Sequence, residues 1–69
     1  MKNRIKINQL VEVVASGLSS KYINDIPAIR QALNDTADSY RKDGFEVGDG
    51  NQDLMVKHVR KQMSTLPVA

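Results

Sequence analysis

The sequence predicts a small all-α domain of three helices, preceded at residues 1–7 by a short strand, a disordered arm or an extension of the first helix. Apolar residues recur at intervals of three and four in three separate segments. Glycine and proline residues separate these segments. A chain of 69 residues is also too short for more than one domain. We therefore expect residues 1–69 to form a single domain with helices near 8–20, 25–42 and 52–65.

The first helix is predicted to begin at Asn8, a residue type that often caps helix N-termini. Gly17 weakens the far end by about 1 kcal/mol relative to alanine. The helix is therefore expected to end there or to continue to about residue 21. Its apolar stripe repeats every four residues, at Leu10, Val14 and Leu18.

The second helix has the clearest start signal in the chain. Asn24 and Asp25 are capping residues, and Pro27 suits a first helical turn, where its missing N–H costs no hydrogen bond. The helix is expected to end before Gly44, a residue type common just past helix C-termini. Its apolar stripe is the most regular one, at Ile26, Ile29, Leu33, Ala37 and Tyr40.

Residues 44–50 contain three of the four glycines and predict a loop, with room for one very short strand. Phe45, the only phenylalanine, is expected to fold back over the core. The third helix is predicted to start at Asn51 or Asp53 and to end before Pro67. Its apolar stripe consists of Val56, Val59, Met63 and Leu66.

The charges fall into three blocks along the chain. Residues 1–24 carry a net charge of +3, residues 25–53 a net charge of −4, and residues 54–69 a net charge of +3. Antiparallel helices would place the basic third helix and the basic N-terminus alongside the acidic second helix. Because an exposed ion pair contributes only about 0–1 kcal/mol, this pattern is expected to specify packing order more than stability.

Composition limits the functional classes. The chain has no cysteine and one histidine, which excludes disulfides, zinc–thiolate sites and histidine-rich metal sites. We expect no metal and no cofactor.

The lack of cysteine also fits a cytoplasmic location. The apolar stretch at residues 7–18 is interrupted by polar residues, and no run approaches the ~18 apolar residues of a membrane span, so we expect neither a secretory signal nor a membrane segment.

Catalytic chemistry has little support in the sequence. His58 has no cysteine to activate, and none of the five serines stands in a recognisable nucleophile context. Residues 49–53 copy the opening of a calcium loop, but Leu54 replaces its glycine and Arg60 its bidentate glutamate. The polar residues of this segment are therefore interpreted as turn formers and helix caps. We predict a protein that is not an enzyme and has no small-molecule substrate.

Basic and apolar residues alternate at the N-terminus, a period of two that suits a short strand. The basic positions are Lys2, Arg4 and Lys6, and the apolar positions are Ile5 and Ile7. With the glycine-containing segment at residues 14–19, this part of the chain resembles the ribbon–helix–helix DNA-binding family. The resemblance implies a homodimer whose paired N-terminal strands enter the major groove, with the three basic side chains facing DNA.

The same stretch also resembles a helix-turn-helix, with Gly17 as the turn glycine. Glu12 and Ser16 depart from that family, which keeps those positions apolar. In a helix-turn-helix, the predicted second helix would be the recognition helix that contacts DNA. It carries Asp35 and Asp38, and DNA phosphates repel such acidic residues.

A second basic cluster is predicted on the third helix. Lys57, Arg60 and Lys61 are neighbours at spacings of three and four. Three interpretations remain open. The cluster contacts an anionic partner, nucleic acid or acidic protein, or it forms a solvated helix surface, or the acidic second helix neutralises it.

The chain also contains more apolar residues than three short stripes need. Val13, Met55 and Val68 are the surplus, and they predict an exposed apolar patch. This surplus favours a small non-enzymatic binding protein, a regulator or assembly subunit, whose partner is another protein or a second copy in a homodimer. The alternative is a DNA-binding transcriptional regulator that uses the basic N-terminal segment.

Overall fold

Three helices and two very short strands form the described part of the chain, residues 3–48 and 50–65, in a computed structural model. This arrangement confirms the predicted small three-helix domain with a short N-terminal strand. In chain order the elements are strand β1 (Arg4–Ile5), helix α1 (Ile7–Gly17), a 3₁₀ turn (Ser20–Tyr22), helix α2 (Ile26–Lys42), strand β2 (Glu46–Val47) and helix α3 (Gln52–Thr65).

Helix α1 begins one residue earlier than the sequence predicts. Lys6, and not Asn8, is the N-cap residue, and its backbone N–H donates a hydrogen bond of 3.0 Å to Gln9 Oε1. This bond is one half of a capping box. The helix ends at Gly17, the earlier of the two predicted ends, because the backbone of Leu18 is extended.

Helices α2 and α3 begin at the polar residues that the sequence indicates. Asp25 Oδ1 accepts a hydrogen bond of 3.2 Å from the Ala28 N–H, and Asn51 Oδ1 accepts one of 3.2 Å from the Leu54 N–H. Both bonds satisfy donors that a helix start leaves without an intrahelical partner. The chain leaves α2 through Gly44, whose φ of +90° is a conformation that glycine adopts without a Cβ clash.

Strands β1 and β2 pair in parallel, with Arg4 opposite Glu46 and Ile5 opposite Val47. The Glu46 N–H donates a hydrogen bond of 2.8 Å to the Asn3 carbonyl. Helices α1 and α2 therefore lie within the connection between the two strands. The N-terminal strand thus has a partner in its own chain, whereas the ribbon–helix–helix resemblance implies pairing with a second chain.

The core lies between the three helices and is entirely apolar among the described buried residues. Ile5 and Val47, one from each strand, pack against it in a half-buried position. Phe45 folds back onto Tyr40, with the rings edge to face and their centroids 5.6 Å apart, and Tyr40 in turn packs against the core. The core residues are Leu10, Val11, Val14, Ala15, Ile29, Leu33, Ala37, Val56, Val59 and Met63.

Polar contacts show that α2 and α3 run antiparallel. At the start of α3, Asp53 Oδ1 lies 2.6 Å from an Nη of Arg30 in α2. Further along α3, Arg60 donates hydrogen bonds to the Ile23 carbonyl and the Asn24 side chain, which precede α2.

Among the helices of the described residues, none has the length and hydropathy to cross a bilayer. Leu66 and Pro67, predicted to close the third helix, lie outside the described residues.

Candidate functional site

The ion pairs of the described residues do not follow the predicted pairing of charge blocks. Two are present: Arg30 with Asp53 at 2.6 Å, and Arg41 with Asp38 at 3.2 Å. All four side chains belong to the acidic middle block of the sequence. Across residues 3–48 and 50–65, therefore, no ion pair joins the basic third block to the acidic second helix. The positive charge of α3 is not neutralised in the way that the sequence suggested.

Helix α3 exposes a basic surface with an apolar residue in it. Leu54 is 51% exposed, and Lys57, His58 and Lys61 follow it at spacings of three, four and seven. These spacings put all four side chains on one side of the helix, away from the buried Val59. Within the described part of the chain, neither lysine has an ion-pair partner. We call Leu54, Lys57, His58 and Lys61 the α3 face.

Arg60 lies next to the α3 face but serves to join parts of the fold. Its Nε donates a hydrogen bond of 2.9 Å to the Ile23 carbonyl, and one Nη donates a bond of 2.9 Å to Asn24 Oδ1. These bonds connect α3 to the turn before α2. Arg60, one of the predicted contacts for an anionic partner, therefore already uses two guanidinium donors inside the protein.

An open groove of about 410 Å³ lies between α1 and α2. Val13 of α1 is 42% exposed beside it. Asp35 and Asp43 are the charged residues of its lining, and both are exposed. Asp35 accepts a hydrogen bond of 3.1 Å from the Gln31 amide, which leaves its negative charge in place. We call the following set the α1–α2 groove: Val13, Asp35, Thr36, Ser39, Tyr40 and Asp43.

The N-terminal basic segment is less basic in three dimensions than in the sequence. Arg4 and Lys6 are exposed along a groove of about 440 Å³ that begins at the sheet and reaches the start of α1. Glu46, which is also exposed, lies opposite Arg4 in the sheet. Lys2, the third basic residue predicted to contact DNA, lies outside the described residues. The described part of this segment therefore brings an acidic side chain to the same place as its basic ones.

The predicted apolar surplus is distributed differently from the expected patch. Val13 is exposed, but Met55 is half-buried and packs against the core. Val68 lies outside the described residues. Leu54, which the sequence reasoning did not single out, is the more exposed apolar residue of α3. The sequence could have indicated this exposure, because Leu54 does not lie on the apolar stripe of Val56, Val59 and Met63.

Among the described residues, no titratable side chain is buried. Each buried residue among them is apolar, so their titratable side chains, including His58, lie partly or fully in water. The His, Asp and Glu residues of the described ranges form no group of three or more that is arranged to hold a metal ion. The α3 face, the α1–α2 groove and the groove along Arg4 and Lys6 each combine exposed charged side chains with apolar ones.

Comparison with known proteins adds no relative: no protein-family model, no curated protein and no solved structure matches the chain. Fold and surfaces define a small three-helix domain with two partly apolar surfaces of opposite charge.

Proposed function

We propose that this protein is a small non-enzymatic binding domain, a regulator or assembly subunit, that presents its α3 face to an acidic, partly apolar surface of a partner protein. One observation carries the proposal. Leu54 is half-exposed among basic side chains that have no acidic partner in the described part of the chain. Such a combination leaves both apolar surface and positive charge available to a partner.

The exposed leucine favours a protein partner over nucleic acid. Protein interfaces place apolar side chains at the centre, where water is excluded, and polar or charged groups at the rim. Leu54 and the lysines around it have this composition. DNA phosphates attract lysine and arginine but gain nothing from a leucine on the surface. The alternative of a DNA-binding regulator depends on Arg4 and Lys6, and Glu46 beside Arg4 weakens the positive potential there.

Helix stability does not explain the two lysines. Lys57 and Lys61 are four residues apart on α3 and carry the same charge. A like-charged pair at this spacing destabilises a helix by a few tenths of a kcal/mol, roughly 0.2–0.5. Attraction of an acidic partner supplies a reason for both side chains, because charge of one sign accelerates association with a surface of the opposite sign.

The proposed location of this binding protein is the cytoplasm. Its support is the absence of cysteine from all 69 residues. Small extracellular domains are often stabilised by disulfides, whereas proteins of a reducing compartment are not.

Capture of partners from an extract of the source cells tests the proposal. The bait is the wild-type chain, and the test variant is Leu54→Ser/Lys57→Gln/Lys61→Gln. A matched control, Lys21→Gln/Lys42→Gln, removes the same charge from exposed lysines outside the α3 face. We expect the wild type and the control to retain the same protein, and the test variant to bind it at least about tenfold more weakly.

Two results would contradict the proposal. The first is equal capture by the test variant and the wild type, with the helical circular dichroism of both unchanged. The second is salt-dependent binding to duplex DNA that the test variant keeps and that a Lys2→Gln/Arg4→Gln/Lys6→Gln variant loses, which would establish the DNA-binding alternative.

A further inference from the structure

The α3 face and the α1–α2 groove have complementary chemistry. Val13 and Leu54 are the large apolar side chains exposed among the described residues. Val13 lies at a groove lined by the carboxylates of Asp35 and Asp43, neither of which has an ion-pair partner among the described residues. Leu54 lies among the basic side chains of the α3 face. Each surface thus combines an exposed apolar residue with charge of one sign, and the two signs are opposite.

The two surfaces of one molecule point in different directions. Arg30 of α2 contacts α3, whereas Ser39 of α2 lines the groove. These positions are nine residues apart, which is two and a half turns at about 3.6 residues per turn. The groove is therefore on the side of α2 opposite to α3. The α3 face in turn points away from the core, so the two surfaces cannot meet within one chain.

We propose that the partner of the α3 face is a second copy of this chain, bound through its α1–α2 groove. Leu54 of one copy covers Val13 of the next, while Lys57 and Lys61 approach Asp35 and Asp43. The groove, about 410 Å³ and open to solvent, offers space for a leucine side chain beside Val13. This inference rests on the proposed function and names its partner.

The proposed contact joins two different surfaces and is therefore head to tail. Such a contact need not close into a dimer, and each added copy again exposes one free groove and one free α3 face. We expect the average mass to rise with protein concentration. Because exposed charges are screened over about 10 Å at 0.1 M salt, we also expect association to weaken as salt increases.

Two variants, each lacking one surface, test this arrangement. The face variant is Leu54→Ser/Lys57→Gln/Lys61→Gln, and the groove variant is Val13→Ser/Asp35→Asn/Asp43→Asn. The native net charge is +2, so removal of two lysines gives 0 and removal of two carboxylates gives +4. The variants therefore have no opposite net charges that would bring them together nonspecifically.

Sedimentation equilibrium should give a monomer of about 7.7 kDa for each variant alone. An equimolar mixture retains one intact face and one intact groove, so it should form a dimer of twice that mass, about 15.4 kDa, and stop there. The wild type and the Lys21→Gln/Lys42→Gln control should exceed the dimer mass at high concentration. If either variant loses its helical circular dichroism, the milder Lys57→Gln/Lys61→Gln and Asp35→Asn/Asp43→Asn variants replace the pair.

Self-assembly is refuted if the wild type stays at monomer mass up to about 1 mM, a concentration at which even a contact with a Kd of about 1 mM would be half-formed. It is also refuted if the mixed variants remain monomeric, or if each variant alone assembles like the wild type. A monomeric wild type that still captures another protein through the α3 face would refute self-assembly and leave the proposed function standing.

Discussion

Substitution of Gly50 by alanine tests how closely the loop before α3 approaches α1. A Cβ atom at this position lies 2.8 Å from Ile7 Cδ1 and 3.3 Å from Met55 Sδ. The optimal separation of two carbon atoms is about 3.5–4.0 Å, so at least the isoleucine must move. Overpacking of this kind costs about 1–3 kcal/mol. Because both contacts are the ends of half-buried, flexible side chains, we expect a cost near 1 kcal/mol.

A loss of about 1 kcal/mol lowers the Tm of a domain of this size by roughly 4–8 °C. Thermal unfolding followed by circular dichroism measures this shift, and urea unfolding gives the free energy. Gly48→Ala is the matched control in the same loop. A Cβ at Gly48 has its nearest contact at 3.8 Å, to Arg4 Nη2, which is an ordinary separation. We expect that control to change stability by less than about 0.5 kcal/mol.

A second substitution identifies the contact itself. Ile7→Val removes Cδ1, the atom closest to the added Cβ. In the native background this loss of a methyl group costs about 0.5–1.5 kcal/mol. In the Gly50→Ala background it also relieves the clash, so the two substitutions together should cost less than their sum, by about 0.5–1 kcal/mol. Equal stability of the two glycine variants, or strict additivity in this cycle, would refute the close approach.

Two further substitutions have expected outcomes. Gly44→Ala should destabilise the protein by about 1–2 kcal/mol, although the space around it is empty, because its φ of +90° disfavours any residue with a Cβ; an unchanged urea midpoint would contradict this. Leu33→Ala, at a side chain only 1% exposed, should cost about 2–5 kcal/mol, against the roughly 3–5 kcal/mol that a core of this size supplies. We therefore expect much of its helical signal to be lost at 37 °C, and a well-folded variant with a small shift in Tm would contradict this.

The helices could be predicted because their signals are local. Asp25 and Asn51 cap helices over a distance of three residues, and Gly44 ends α2 through its own backbone conformation. Apolar spacing identified the buried sides of all three helices. The start of α1 was misplaced because the capping contact there uses the backbone N–H of Lys6 and the side chain of Gln9, whereas the sequence pointed to Asn8.

The strand pairing and the charge contacts could not be predicted, because they join residues far apart in the chain. Arg4 and Glu46 are brought together only when α1 and α2 fold back on each other. The ion pair of Arg30 with Asp53 depends in the same way on the antiparallel packing of α2 and α3. Alternation of side chains indicated a strand, but alternation carries no information about its partner.

The candidate surfaces were predicted in part. The basic residues of α3 were identified from their spacing. Val13 was identified as an apolar residue beyond those that the three helix stripes need. The sequence did not show that Arg60 is used within the fold, that Met55 packs against the core or that Leu54 is exposed. The rotation of α3 about its axis determines which of two neighbouring apolar residues packs inward, and contacts with α1 and α2 set that rotation.

By itself, the sequence determined the number of helices, the N-caps of α2 and α3, the apolar sides of the helices and the order of the charge blocks. These properties arise from contacts within one or two helical turns. Only the tertiary structure decided that β1 pairs with β2, that the ion pairs of the described residues lie within the acidic middle block, and that α3 and the α1–α2 groove expose opposite charges on different sides. The physical reason is that burial of one common apolar core sets the relative rotation of all three helices, and this rotation places every remaining side chain.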